Sequence, residues 1–124
     1  MTPQLEIDTD PLPAAIVARP VGDIDMAVTP EIGDGVLEAV RSHEPACAIV
    51  DLSRVTYMDS SGIHLLFRLH NELASSRVEL IVVAPPGSNA ARLIELVALS
   101  DAGPVRPSVE SALDTCAGRR AQPS

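Results

Sequence analysis

The sequence predicts an α/β domain, and three observations carry that expectation. Two nearly continuous apolar runs, Ala46 to Leu52 and Val78 to Ala84, read as strands covered on both faces. Between them, Asp59-Ser60-Ser61-Gly62 passes directly into an amphipathic segment, Ile63 to Leu73, so that a loop becomes a helix. Strand, helix, strand is the order of a right-handed crossover, which makes the two strands parallel.

The rest of the chain follows in order. Leu5 to Asp8 alternates like a half-buried strand and is interrupted at Pro11 and Pro13, as expected at a sheet edge. Ala14 to Ala18 is a better strand, ending at Arg19-Pro20, and Val21 to Asp25 reads as a turn around Gly22. Thr29-Pro30-Glu31 is a helix start, with a capping hydroxyl, a proline at the first helical position and an acid in the first turn. Ile32, Val36, Ala39 and Val40 give this helix its apolar face, and it stops before Pro45. Gly33 and Gly35 cost it about 1 kcal/mol each relative to alanine, which points to close packing or local mobility there.

In the helix after Asp59, a period of about 100° per residue aligns Gly62, Leu65, Leu66, Leu69 and Leu73 on the core side. Ser60 falls nearly opposite, beside Ile63, His64 and Phe67. Past Pro85-Pro86-Gly87, Ser88 or Asn89 can cap a helix whose buried side is Ala90, Leu93, Ile94 and Val97, with Leu99 a further candidate. Asp101 to Pro104 ends it, Val105 marks a brief strand, and Ser108 caps a final helix through Cys116. One domain over residues 1–117 and a disordered polar tail over 118–124 are expected.

Composition excludes several functions. Aromatics are 2% of the chain, with no Trp, so stacking on nucleic-acid bases is not a binding mode. Nine basic against 17 acidic residues give a net charge of -8, which repels phosphate backbones and argues against direct nucleic-acid binding. No apolar run approaches the roughly 20 residues that span a bilayer, and Met1 to Asp10 holds no apolar leader, so a cytoplasmic protein without membrane insertion is expected. Cys47 and Cys116 form no Cys-x-x-Cys motif and are expected as unpaired thiols in a reducing compartment, Cys47 as a small core residue.

The remaining polar residues fit no catalytic or metal pattern. Asp23, Asp25 and Asp34 lack the spacing and final glutamate of a calcium loop and read as turn and capping carboxylates. His43, His64 and His70 share no ligand spacing, so neither a metal nor another cofactor is expected. A serine nucleophile needs a base and commonly a Gly-x-Ser-x-Gly elbow, whose first glycine Asp59-Ser60-Ser61-Gly62 lacks. No catalytic residue is assigned. What remains is a cap and a hydroxyl: Asp59 can accept from the amides of Ser61 and Gly62, which leaves Ser60 in the first helical turn, where free amides and the helix dipole favour added negative charge.

Asp59-Ser60-Ser61-Gly62, with Tyr57-Met58 before it, resembles the motif of the bacterial anti-sigma factor antagonists, which are built on the STAS domain. Gly22-Asp23-Ile24-Asp25 is similar to that family's early Gly-Glu-Leu-Asp turn, and the element order agrees over roughly residues 12 to 117. The resemblance implies a mixed sheet of four or five strands with about four packed helices. It implies phosphorylation at Ser60, with Ser61 the competing acceptor, and a partner surface of Asp23, Asp25, Asp59, Ser60, Ser61, Gly62, Ile63, His64 and Phe67. The implied function is a non-enzymatic switch. Unmodified, it binds an anti-sigma factor serine kinase and frees a sigma factor; phosphorylation at Ser60 ends the binding, and a PP2C-type phosphatase restores it. Two other readings compete: a constitutive STAS scaffold in a lipid transporter or stress-signalling assembly, and a small hydrolase. The short, proline-protected first strand favours a monomer when free. His64 departs from the family, where a small residue is common, and alters the docking surface.

Overall fold

The computed structural model describes residues 4–10, 14–97 and 104–121. In chain order these form β1 (Gln4–Asp10), β2 (Ala15–Ile24), α1 (Thr29–His43), β3 (Cys47–Asp51), β4 (Val55–Met58), α2 (Ser60–Ser75), β5 (Glu79–Val83), α3 (Asn89–Val97), β6 (Val105–Arg106) and α4 (Val109–Ala121). The sheet is mixed and six-stranded, with the order β1-β2-β3-β5-β6 and β4 lying off that path against β2. Among the described residues only β1 is antiparallel to its neighbour; the other pairings are parallel, and β3 pairs β5 across α2 as the apolar runs predict.

Strand β2 differs most from expectation. It does not stop at Arg19-Pro20 but runs on to Ile24, because β1 pairs with it from Ala15 to Val21. On its other edge the first half pairs with β3 and the second half with β4, with a register shift between Gly22 and Asp23. Gly22 has φ +98, a conformation an L side chain rarely adopts, so the irregularity is taken where a glycine tolerates it. Pairing on both edges thus outweighs the local turn signal.

Alternate residues of the central strands feed two separate cores. Ile16, Ala18, Ala48, Val50, Leu80 and Val82 face α1, α2 and α3. Ala15, Val17, Cys47, Ile49, Ile81 and Val83 face α4, which covers them with Val109, Ala112, Leu113 and Cys116. Full burial of side chains such as Ile49 or Leu69 contributes about 1.5–3 kcal/mol each. Cys47 and Cys116 are joined as a disulfide, with Cα atoms 6.1 Å apart, and not held as free thiols. The sequence placed them in a strand and a late helix; only the packing of α4 on β3 brings them together.

The helix ends differ in how well sequence foresaw them. Thr29 does not cap α1: Val28 holds the cap position without a side-chain bond, and the turn before it is closed by Asp25, whose carbonyl accepts from the amides of Val28 and Thr29. Ser88 and Ser108 do cap α3 and α4, each accepting an amide through its hydroxyl at 3.1 Å. Val97 is exposed and takes no part in the core, and the expectations for Leu99, for the 101–103 turn and for Pro11 and Pro13 lie outside the described residues. Helix α4 continues to Ala121, past the start of the expected tail. Gly33 and Gly35 reflect close packing: a Cβ at Gly33 would lie 2.9 Å from Arg68 Nη1 of α2, and one at Gly35 2.6 Å from Leu5 of β1.

A candidate phosphorylation site at the start of helix α2

Parallel strands bring successive helix starts to one end of the sheet. Strand β2 ends at Ile24 and leads into α1, β4 ends at Met58 and leads into α2, and β5 ends at Val83 and leads towards α3. Two hydrogen bonds fasten this end together. The Asp59 amide donates to the Ile24 carbonyl at 3.3 Å, and the Met58 amide donates to Asn89 Oδ1 at 2.7 Å.

Within this frame the two serines are sorted chemically. Asp59 caps α2, accepting from the Ser61 amide at 2.9 Å and from the Ser61 hydroxyl as well. Those bonds, the hydroxyl first and then the amide, hold the Asp59 carboxyl below the usual carboxylate range. Ser61 is therefore committed to the cap, while Ser60 is the first helical residue and is exposed. A charged group on Ser60 would sit at the positive end of a 16-residue helix, where it is favoured by about 0.3–1 kcal/mol.

The other expected surface residues divide into two groups. Asp23, Asp25 and His64 are exposed near this end: Asp23 accepts from the Thr56 hydroxyl at 2.5 Å, and Asp25 from the Ala27 amide at 2.9 Å. His64 lines an open cleft of about 240 Å³ with Thr29, Pro30, Ser61, Leu65 and Arg68. Arg68 bridges from there to Asp34 of α1 at 3.3 Å and to Glu72 at 3.5 Å. Ile63 and Gly62, by contrast, are in the core and not on the outer face, Ile63 being only 4% exposed. Helix α2 packs against α1, β5 and α3, so its buried arc is wider than one stripe and includes Ile63. Phe67 is partly buried against the same core and so only partly accessible.

Two apolar side chains at this end were missed by the sequence reading. Met26 is 77% exposed in the turn after β2, and Tyr57 is 53% exposed on β4 beside its register partner Asp23. The alternation Tyr57-Met58, with Met58 buried, was a usable signal for Tyr57; nothing in the pattern marked Met26. Among the described residues no group of three or more His, Cys, Asp or Glu could hold a metal, and no helix is long and apolar enough to cross a membrane.

A serine presented at a helix start, with its neighbour locked to an aspartate cap, is the local geometry expected of Asp59-Ser60-Ser61-Gly62, although the strand β4, and not a loop, leads into it. The model of the STAS domain family matches residues 4–112. The chain belongs to the STAS domain family. Its fold is similar to that of an anti-sigma factor antagonist from Mycobacterium paratuberculosis, with a TM-score of 0.75 and 22% identity over 93% of this chain and 94% of that one. It is also similar to the anti-sigma factor antagonist SpoIIAA in its unphosphorylated form, with a TM-score of 0.64 and 21% identity over 98% of this chain and 100% of that one. The phosphorylated form of SpoIIAA, the Bacillus cell fate determinant, gives a TM-score of 0.63 and 23% identity over 92% and 98% of the two chains. In sequence, this STAS domain is 33% identical over 75 residues to Sulfate transporter 2.1 of Arabidopsis thaliana. That match covers 56% of this chain and 10% of the transporter, so the chain corresponds to a small part of that relative's length.

Proposed function

We propose that this STAS domain is an anti-sigma factor antagonist, a non-enzymatic switch that acts in the cytoplasm on transcription. Unphosphorylated, it binds an anti-sigma factor serine kinase through the end bearing Ser60, and a sigma factor is released. The kinase phosphorylates Ser60, the complex separates, and a PP2C-type phosphatase resets the domain. The observation that carries this reading is the division of labour between Ser60, exposed, and Ser61, bonded to the Asp59 cap. Similarity of fold to SpoIIAA, solved both with and without its phosphate, supports it.

The physical mechanism is local. A phosphate adds about -1.5 to -2 charges to a surface that already carries Asp23, Asp25 and Asp59, and burying it in a contact without a matching cation is costly. The helix start accommodates the same charge, so the partner leaves while the domain stays folded. In this proposal Asp23, Asp25, Asp59, Ser60, Ser61 and His64 line the contact, with Phe67 at its margin, while Gly62 and Ile63 support it from beneath.

The test is a native-lysate pull-down comparing tagged wild type, Ser60→Ala and Ser60→Glu, with retained proteins identified by mass spectrometry. Wild type and Ser60→Ala are expected to retain a small kinase of the anti-sigma type, and Ser60→Glu to lose it while keeping its circular dichroism spectrum. Equal retention of transport or large-assembly subunits by all three would replace the switch with a constitutive scaffold. The match to a segment of a sulfate transporter favours that second reading.

A further inference from the structure

We infer a second modification site, chemically and spatially separate from Ser60: the Cys47–Cys116 pair is a reversible redox lock on α4. The two residues are 69 apart in sequence and both are buried. Cys47 opens β3, paired in register with Ala15 and Glu79, and so lies at the opposite end of the strands from the β4–α2 junction. It also lies on the opposite face of the sheet from α1, α2 and α3.

The disulfide is a covalent tie between helix α4 and the sheet. Among its described side chains α4 contributes Val109, Ala112, Leu113 and Cys116 to the second core, a short row in which two members are small. A side-chain hydrogen bond from Arg106 Nε of β6 to Thr115 Oγ1, at 2.8 Å, ties the middle of the helix to the sheet. Cys116 lies in the second half of α4, so the crosslink pins the part of the helix farthest along the chain from β6.

The chemistry balances with a dithiol reductant. Its thiolate attacks one sulfur, the Cys47–Cys116 bond breaks, and resolution of the mixed disulfide leaves two protein thiols and the reductant as its own disulfide. Two electrons and two protons are transferred. Because both sulfurs are buried beneath α4, the reductant reaches them only when the helix lifts. Reduction and lifting are therefore coupled: the oxidised form holds α4 down, and the reduced form lets it open and uncover Ala15, Val17, Ile49, Ile81 and Val83.

Hydrogen exchange of the full chain, read by mass spectrometry with and without dithiothreitol, tests this. Reduction is expected to accelerate exchange at least tenfold across 109–121 while β3 and the core of α2 keep their protection. The rate of reduction should level off as dithiothreitol is raised, since lifting becomes limiting. In Cys47→Ala, α4 should exchange at the fast rate whether or not reductant is present. Unchanged α4 exchange on reduction, or two thiols alkylated in the folded chain isolated without reductant, would overturn the lock. Neither readout involves the Ser60 partner, so a failed pull-down leaves this result intact.

Discussion

Gly62 lies against Met58 so closely that a Cβ on it would overlap the Met58 Cγ and stand 2.5 Å from its Sδ. The Met58 side chain therefore fills the space that a side chain at position 62 would need, and the start of α2 closes onto it. This contact explains the last residue of Asp59-Ser60-Ser61-Gly62 by packing: the glycine seats the helix so that Ser60 projects outward. Replacing Gly62 with Ala should cost about 1–3 kcal/mol through overpacking, despite the better helix propensity of alanine. Urea denaturation of Gly62→Ala checks it, and a gain in stability would mean that Met58 moves aside freely.

The Asp59 cap predicts a pH dependence of known sign. Its carboxyl is held below the usual range by Ser61, so the folded state binds that proton less readily than the unfolded chain does. The stability it contributes is complete above the ordinary aspartate pKa, about 4, and is lost as the pH falls through the lower folded-state value. Wild type should melt above Asp59→Asn by a constant margin from pH 7 to 5, and the margin should close at more acid pH. A margin independent of pH would show that the charge on Asp59 plays no part in the cap.

Asp51 is the only charged side chain among the described residues that is buried, and it accepts from Arg19 Nε at 2.8 Å and from the Ser53 amide at 3.0 Å. Arg19 also reaches Glu6 and Asp8 of β1, so one guanidinium ties three strands. Asp51→Ala should destabilise by roughly 1.5–3 kcal/mol, since it strips a buried charge-assisted bond and leaves an amide unpaired. Glu6→Gln, at an exposed pair, should cost less than about 1 kcal/mol. Thermal unfolding of both variants checks the ranking, and equal losses would contradict it.

The sequence by itself determined the two central strands β3 and β5, the parallel crossover around α2 and the Asp59 cap, but indicated a loop over Val55 to Met58 where the structure has β4. Each depends on contacts within a few residues: a continuous apolar run, a helical period, a carboxylate two positions from the amide it receives. Tertiary structure alone decided the features made by residues far apart in the chain. Pairing with β1 and β4 carried β2 through Arg19-Pro20. Three neighbours of α2 drew Ile63 inward from the outer face that helical angle alone suggested for it. The docking of α4 on β3 joined Cys47 to Cys116 across 69 residues. Local patterns fix which way the backbone turns, because those energies act between neighbours, whereas what a side chain meets depends on which distant surface packs against it.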